Sequence, residues 1–199
     1  FYAESGGQVS DRGSIVNNEF TGKVINSNKI KLGNDINIFI CNIEVISGEL
    51  QTGEIVTQKL DLDYRKQISS HHSATHLLHE TLRQKLGNHV AQKGSLVTDE
   101  RLRFDFSHSK PNEEKKLQDI EDEVNNRILS NDDVSTNIMT QSKAIENGAI
   151  ALFGEKYGDQ VRVVSMGKSI DSNRNAWSVE LCGGTHVKNT SEISTFKII

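Results

Sequence analysis

Apolar residues over the first sixty positions come in short bursts rather than at helical spacing. Runs at 20–25, 29–32, 36–45 and 55–60 draw on Val, Ile and Thr, with Gly-Lys, Asn-Ser-Asn, Gly-Asn-Asp and Ser-Gly-Glu turns among them. Several short strands at this spacing predict a small N-terminal β-barrel over residues 1–62. The polar stretch 61–67 is the expected seam to a second unit, residues 63–199. From residue 69 the period lengthens. Ser69 or Ser70 can cap a helix through His72, His76, Leu77, Leu78, Leu82 and Leu86, closed by Gly87. Strand-like runs at 89–97 and 101–106 follow, joined by Thr98-Asp99-Glu100. Leu102, Phe104 and Phe106 alternate there with Arg103 and Asp105, as in a half-buried antiparallel pair. Pro111 opens a second helix, in which Leu117, Ile120, Val124 and Ile128 recur three and four apart. A strand at 134–139, a short helix at 142–147 and strands at 161–166 and 177–181 complete the pattern. The predicted class is α+β: a barrel, then a core of helices packed on a mixed or antiparallel sheet.

Composition narrows this picture only a little. At 199 residues, 35% hydrophobic and 25% charged, the chain can bury a core, and wholesale disorder is excluded. Apolar runs such as Ile38-Phe39-Ile40-Cys41 are too short for a bilayer, and no leader precedes them, so no membrane partner is expected. Phe1 in place of Met implies an excised or processed piece. A net charge of −4 does not suit a protein that grips long duplexes, and DNA is not expected. The basic groups Arg65-Lys66, Arg101 with Arg103, Lys110 with Lys115-Lys116, and Arg162 with Lys168 read as solvated surface. Two cysteines, Cys41 and Cys182, cannot form a disulfide framework, which fits a reducing, cytoplasmic setting. Cys41, in an apolar strand, reads as packing.

The chemistry lies in two half-motifs. His71, His72, His76 and His79 fall within nine positions. On a helix, His72 and His76 are one turn apart and can share a metal, whereas His71 and His79 read as surface or core-edge residues. Arg83 stands where a zinc-protease helix starting at His79-Glu80 needs its second His, which argues against that class. Farther on, Cys182-Gly183-Gly184-Thr185-His186 is a tight loop that can aim Cys182 and His186 inward. Together His72, His76, Cys182 and His186 make a three-His, one-Cys set suited to Zn2+, either as a closed staple or as a reactive site. Two other stretches are unusual for packing alone. Ala91-Gln92-Lys93-Gly94-Ser95 interrupts a strand, and Glu4-Ser5-Gly6-Gly7-Gln8 pairs glycines beside polar side chains.

These residues resemble the editing domain of alanyl-tRNA synthetases. The resemblance is carried by 1–8 (Phe-Tyr-Ala-Glu-Ser-Gly-Gly-Gln), 72–79 (His-Ser-Ala-Thr-His-Leu-Leu-His), 92–97 (Gln-Lys-Gly-Ser-Leu-Val) and 102–108 (Leu-Arg-Phe-Asp-Phe-Ser-His). It continues through 151–158 (Ala-Leu-Phe-Gly-Glu-Lys-Tyr-Gly) and 180–187 (Glu-Leu-Cys-Gly-Gly-Thr-His-Val), in order along essentially the whole chain. Free-standing editing proteins and the threonyl-tRNA synthetase editing domain share the two metal half-motifs. The resemblance implies hydrolysis of the ester joining serine or glycine to the 3′ end of alanine tRNA. It also implies neighbours in the same polypeptide, an ATP-using aminoacylation domain upstream and a C-terminal domain downstream. Serine exceeds alanine by one hydroxyl, so a size sieve cannot admit serine and exclude alanine; the site must reward the hydroxyl with a hydrogen bond. Gln92 is the first candidate for that bond and Thr185 the second. Gln92 and Cys182 are the candidate catalytic residues. Gly183, Gly184, Gly6, Gly7 and Gln8 join Gln92 and Thr185 as candidate substrate contacts. Two other readings remain open at this level: an RNA-binding module whose zinc is only a staple, and a thiol enzyme using Cys182.

Overall fold

The computed structural model describes residues 1–33, 36–109, 114–150, 158–168 and 176–199. The first module is an antiparallel sheet of β1 (Gly13–Val16), β2 (Thr21–Leu32), β3 (Ile36–Ser47) and β4 (Thr57–Leu60), in the order β3-β2-β1-β4. The runs expected at 20–25 and 29–32 are one strand, because β2 pairs with β3 along its whole length through register shifts at Thr21/Gly22 and Val24/Asn26. Among the described residues no β3–β4 ladder closes the sheet, so the expected barrel stands as a four-stranded sheet. Its core is small, formed by Ile15, Phe20 and Val24 with Cys41, Ile43 and Val56 against them.

The helix α1 (Leu62–Leu86) begins two turns before the expected Ser69 or Ser70. The polar stretch read as a seam is its first turns: Asp61 is the N-cap, accepting from the Tyr64 N–H, and Asp63 lies near the positive end of the helix dipole. Gly87 ends it as expected, with φ of 118° and an N–H bond to the Arg83 carbonyl. Next come the antiparallel pair β5 (Gln92–Val97) and β6 (Leu102–Phe106), then α2 (Glu114–Leu129). Pro111, the expected opener of α2, and Lys110 lie outside the described residues, whereas Lys115 and Lys116 are in the first turn of α2. So do 151–157, which carried part of the resemblance.

Strands β7 (Val134–Thr140), β8 (Gln160–Met166) and β9 (Ser178–Leu181) form a second antiparallel sheet, with the short helix α3 (Gln141–Glu146) between β7 and β8. The named ladders are all antiparallel; among the described residues, parallel pairing occurs only in the isolated bridges Gln8–Val97 and Ile150–Glu180. β8 is buried on both faces. Val164 and Met166 pack into the main core with Leu77, Leu82, Ile120 and Val124, while Val161 and Val163 join Ala144, Val179 and Leu181 on the other side. A 3-10 turn at Thr190–Ile193 closes the fold. No described helix is long and apolar enough to cross a membrane.

The segment ahead of β1 ties the modules together. The Glu4 N–H donates to the Ser27 carbonyl, while Val9 N–H and Val97 N–H bond the carbonyls of Val97 and Gly7. Asp11, wholly buried, accepts from the Tyr2 N–H and pairs with Arg65 through both of its oxygens. Arg65 therefore anchors this strap to α1 and is not a free cation of a basic patch.

Candidate metal centre

Helix α1 brings His72 and His76 to one face, buried against the loop that follows β9. The ligand atoms of His72, His76, Cys182 and His186 all lie within 4.8 Å of one another. The Cys182 Sγ stands 3.4 Å from His72 Nε2 and 3.3 Å from His186 Nε2. Bonds of about 2.0–2.3 Å to zinc in a tetrahedron put ligand atoms roughly 3.3–3.8 Å apart, so these spacings suit a single ion. The buried His76 Nε2 has no hydrogen-bond partner among the protein groups, and it belongs to this set. A metal with nitrogen and thiolate preference fits an orphaned imidazole nitrogen beside a sulfur.

Each imidazole is fixed from behind. The Gln8 Oε1 accepts from the Thr185 N–H at 2.9 Å, which identifies it as the carbonyl oxygen; His72 Nδ1, 2.6 Å away, is therefore the donor and Nε2 carries the lone pair. His76 Nδ1 donates to Glu180 Oε2 at 2.8 Å, and His79 Nδ1 to Glu180 Oε1 at 3.0 Å. His186 Nδ1 contacts the Ser73 hydroxyl at 3.2 Å, which also accepts from Val187 N–H. The loop itself is clasped by Arg162, whose Nη1 donates to the carbonyls of Cys182 (2.7 Å) and Gly184 (2.9 Å). A side chain at Gly184 would overlap the His72 ring, whereas at Gly183 it would meet nothing within 4 Å.

The electrostatics follow from burial and pairing. Burial would raise the Cys182 thiol, but the His76 charge and the close imidazoles of His186 and His72 hold it well below its ordinary value. For His76 burial acts downward and is outweighed by Glu180 and Cys182, which push it up to about 10. Burial dominates at His186 and takes it down to about 3. Glu180 is held far below the usual carboxylate range, since His76 and His79 outweigh the burial that opposes its charge.

The centre forms one wall of a cavity of about 280 Å³, lined also by Tyr2, Gly6, Thr75, Gln92, Ser95, Arg162, Gly183 and Gly184. Of the residues singled out from sequence, Gln92, Gly6, Gly183, Gly184 and Cys182 thus face this space. Gly7, Gln8 and Thr185 do not line it. The Gly7 backbone packs on Ser95, where a Cβ would come 2.6 Å from the Ser95 carbonyl. Gln8 is wholly buried behind His72, and Thr185 Oγ1 accepts from both Gln8 Nε2 and Ser69 Oγ. His79 is buried in the core and not at its edge; its ring lies 5.2 Å from that of Phe104. Sequence reasoning did not find Glu180, Ser73 or the clasp at Arg162. The signal for Glu180 was present: an acidic residue in β9, where all four positions are buried.

Residues 161–199 match the family described as "Threonyl and Alanyl tRNA synthetase second additional domain". Over 201 residues, 100% of its length, the chain is 50% identical to the alanine–tRNA ligase of a Chelativorans species, of which it covers 22%. The alanine–tRNA ligase of Bradyrhizobium diazoefficiens is likewise 50% identical, over 196 residues, 97% of this chain and 22% of that protein. The chain thus spans about a fifth of the length of these curated relatives. By these matches the chain is similar along its whole length to one segment of alanine–tRNA ligases, and its residues 161–199 fall in the domain described for threonyl and alanyl tRNA synthetases.

Proposed function

We propose that this segment is the proofreading module of an alanine–tRNA ligase, a hydrolase that removes serine or glycine from wrongly charged alanine tRNA. The observation that carries the reading is that His72, His76 and Cys182 open onto a cavity of about 280 Å³ instead of being sealed in the core. That volume lies near the lower end of about 300–1,000 Å³ for small-molecule sites, in keeping with an aminoacyl end. His72, His76, Cys182 and His186 would hold Zn2+, which would supply Lewis-acid polarisation of the aminoacyl ester or of a water beside it. Gln92 faces the same space and donates from Nε2 to Ser95 Oγ at 3.2 Å, which leaves its amide oxygen to accept from a serine hydroxyl. Alanine offers no such donor and leaves that oxygen unpaired, a penalty that favours serine. Arg162 holds the loop carrying Cys182 and His186, and Gly183 lines the cavity. The tRNA acceptor end and the remainder of the ligase polypeptide are the partners of this module, in the cytoplasm.

A second reading, an RNA-binding module with a purely structural zinc, is favoured by the count of four protein ligands. Deacylation of seryl-, glycyl- and alanyl-tRNA(Ala), before and after zinc removal, separates the two. Zinc-dependent loss of serine and glycine with alanine spared supports proofreading. A firmly bound zinc with no deacylation of any of the three supports the staple.

A further inference from the structure

Glu180 has a role that neither half-motif contains. Its side chain is buried in β9 between two imidazoles of α1, with Oε2 on His76 Nδ1 at 2.8 Å and Oε1 on His79 Nδ1 at 3.0 Å. Both histidines and the carboxylate are nearly inaccessible to solvent. A buried carboxylate held only by imidazole donors is costly unless a positive charge lies close by. His76 turns its other nitrogen, Nε2, toward the cluster that includes the Cys182 sulfur. We infer that Glu180 is the positioning residue of the metal centre: it fixes the His76 ring with Nε2 turned toward Cys182 and the other candidate ligands.

Two features of the geometry meet in this assignment. First, Glu180, in β9, precedes Cys182 by two residues along the chain, so its grip on His76 also sets the distance between the half-motifs on α1 and after β9. Second, His79 occupies the second carboxylate oxygen, so the Glu180 side chain cannot turn away from His76 without breaking a further buried bond. Carboxylate–imidazole–metal relays of this kind commonly contribute about 10–100-fold to metal affinity.

The inference rests on the metal reading above, and the test separates their failures. Zn2+ affinity is measured by competition with a chromophoric chelator for the wild-type chain and for Glu180→Gln, alongside thermal melting of both metal-free proteins. The expected result is a loss of about 10–100-fold in Zn2+ affinity in Glu180→Gln, with metal-free melting close to wild type and a smaller melting increase on adding Zn2+. Wild-type affinity in a folded Glu180→Gln overturns the positioning role. A wild-type chain that binds no Zn2+ overturns the metal reading instead. If Glu180→Gln does not fold, His79→Phe decides. It removes one of the two anchors beside the Phe104 ring, and unchanged Zn2+ affinity in that variant likewise overturns the role.

Discussion

Adjacent glycines in the loop after β9 have opposite requirements. Gly184 lies against the His72 ring and Gln8 Oε1, so a methyl there must displace a proposed ligand or its support, while Gly183 faces open space. Gly184→Ala is expected to lower Zn2+ affinity at least tenfold and Gly183→Ala to leave it near wild type, as read by metal content after gel filtration. Proton linkage at the same centre has a definite sign. With Cys182 held down and His186 at about 3, both are deprotonated at neutral pH, whereas His76, pushed up to about 10, keeps a proton that the metal must displace. Affinity should therefore rise about tenfold per pH unit from neutrality toward pH 10 and then level off. Calorimetry in buffers of differing ionisation enthalpy should count roughly one proton released per zinc near neutrality. A flat profile would mean that Glu180 and Cys182 do not hold the His76 proton. His72, His76, Cys182 and His186 were legible from spacing alone. Their supports Gln8, Ser73 and Glu180 lie 64, 113 and 104 positions from the histidines they fix, and no local pattern encodes such pairings.

Elements were legible where one face is buried. Leu102, Phe104 and Phe106 marked β6, and Ile120, Val124 and Ile128 marked the core face of α2, since alternation and three-to-four spacing report burial directly. The start of α1 was not, because its first turns are mostly polar, bury only Tyr64 and Ile68, and depend on a cap. Asp61→Ala removes the hydrogen bond to Tyr64 N–H and should cost about 1 kcal/mol, seen as a lower melting temperature with zinc affinity kept. The Arg162 clasp calls for a different outcome. Arg162→Met withdraws donors from the Cys182 and Gly184 carbonyls, so the loop should loosen, and deacylation and zinc affinity should fall together while metal-free melting changes little. An intact zinc affinity would make the clasp irrelevant to ligand placement.

At the scale of the molecule, apolar content located strands without reporting their burial. The run at 36–45 forms a strand as expected, yet Ile36 and Phe39 are 62% and 60% exposed, because β2 and β3 extend beyond the small core that begins at Ile15 and Phe20. What joins this sheet to the centre is the strap, through Gln8, Asp11 and the Gln8–Val97 bridge. Removing zinc should release the His72–Gln8–Thr185 chain, so hydrogen exchange on chelation should quicken at the amides of Thr185, bonded to Gln8 Oε1, and Val9, bonded to Val97. Exchange at the centre of α2 should be unaffected; equal acceleration there would mean that the ion holds the whole fold together.

The bonds between Gln8 and Thr185 span 177 positions. A ribosome emits the strap first and the Cys182–His186 loop some 177 positions later, so α1 must leave the exit tunnel with its candidate ligands His72 and His76 lacking both the sulfur and the imidazole of that loop. Until the loop arrives, the nascent chain can offer an ion at this centre only a two-nitrogen perch. Under the proposed metal reading, firm capture thus becomes a late event in the making of this stretch, a chemical signal that it has been synthesised through to its last candidate ligand.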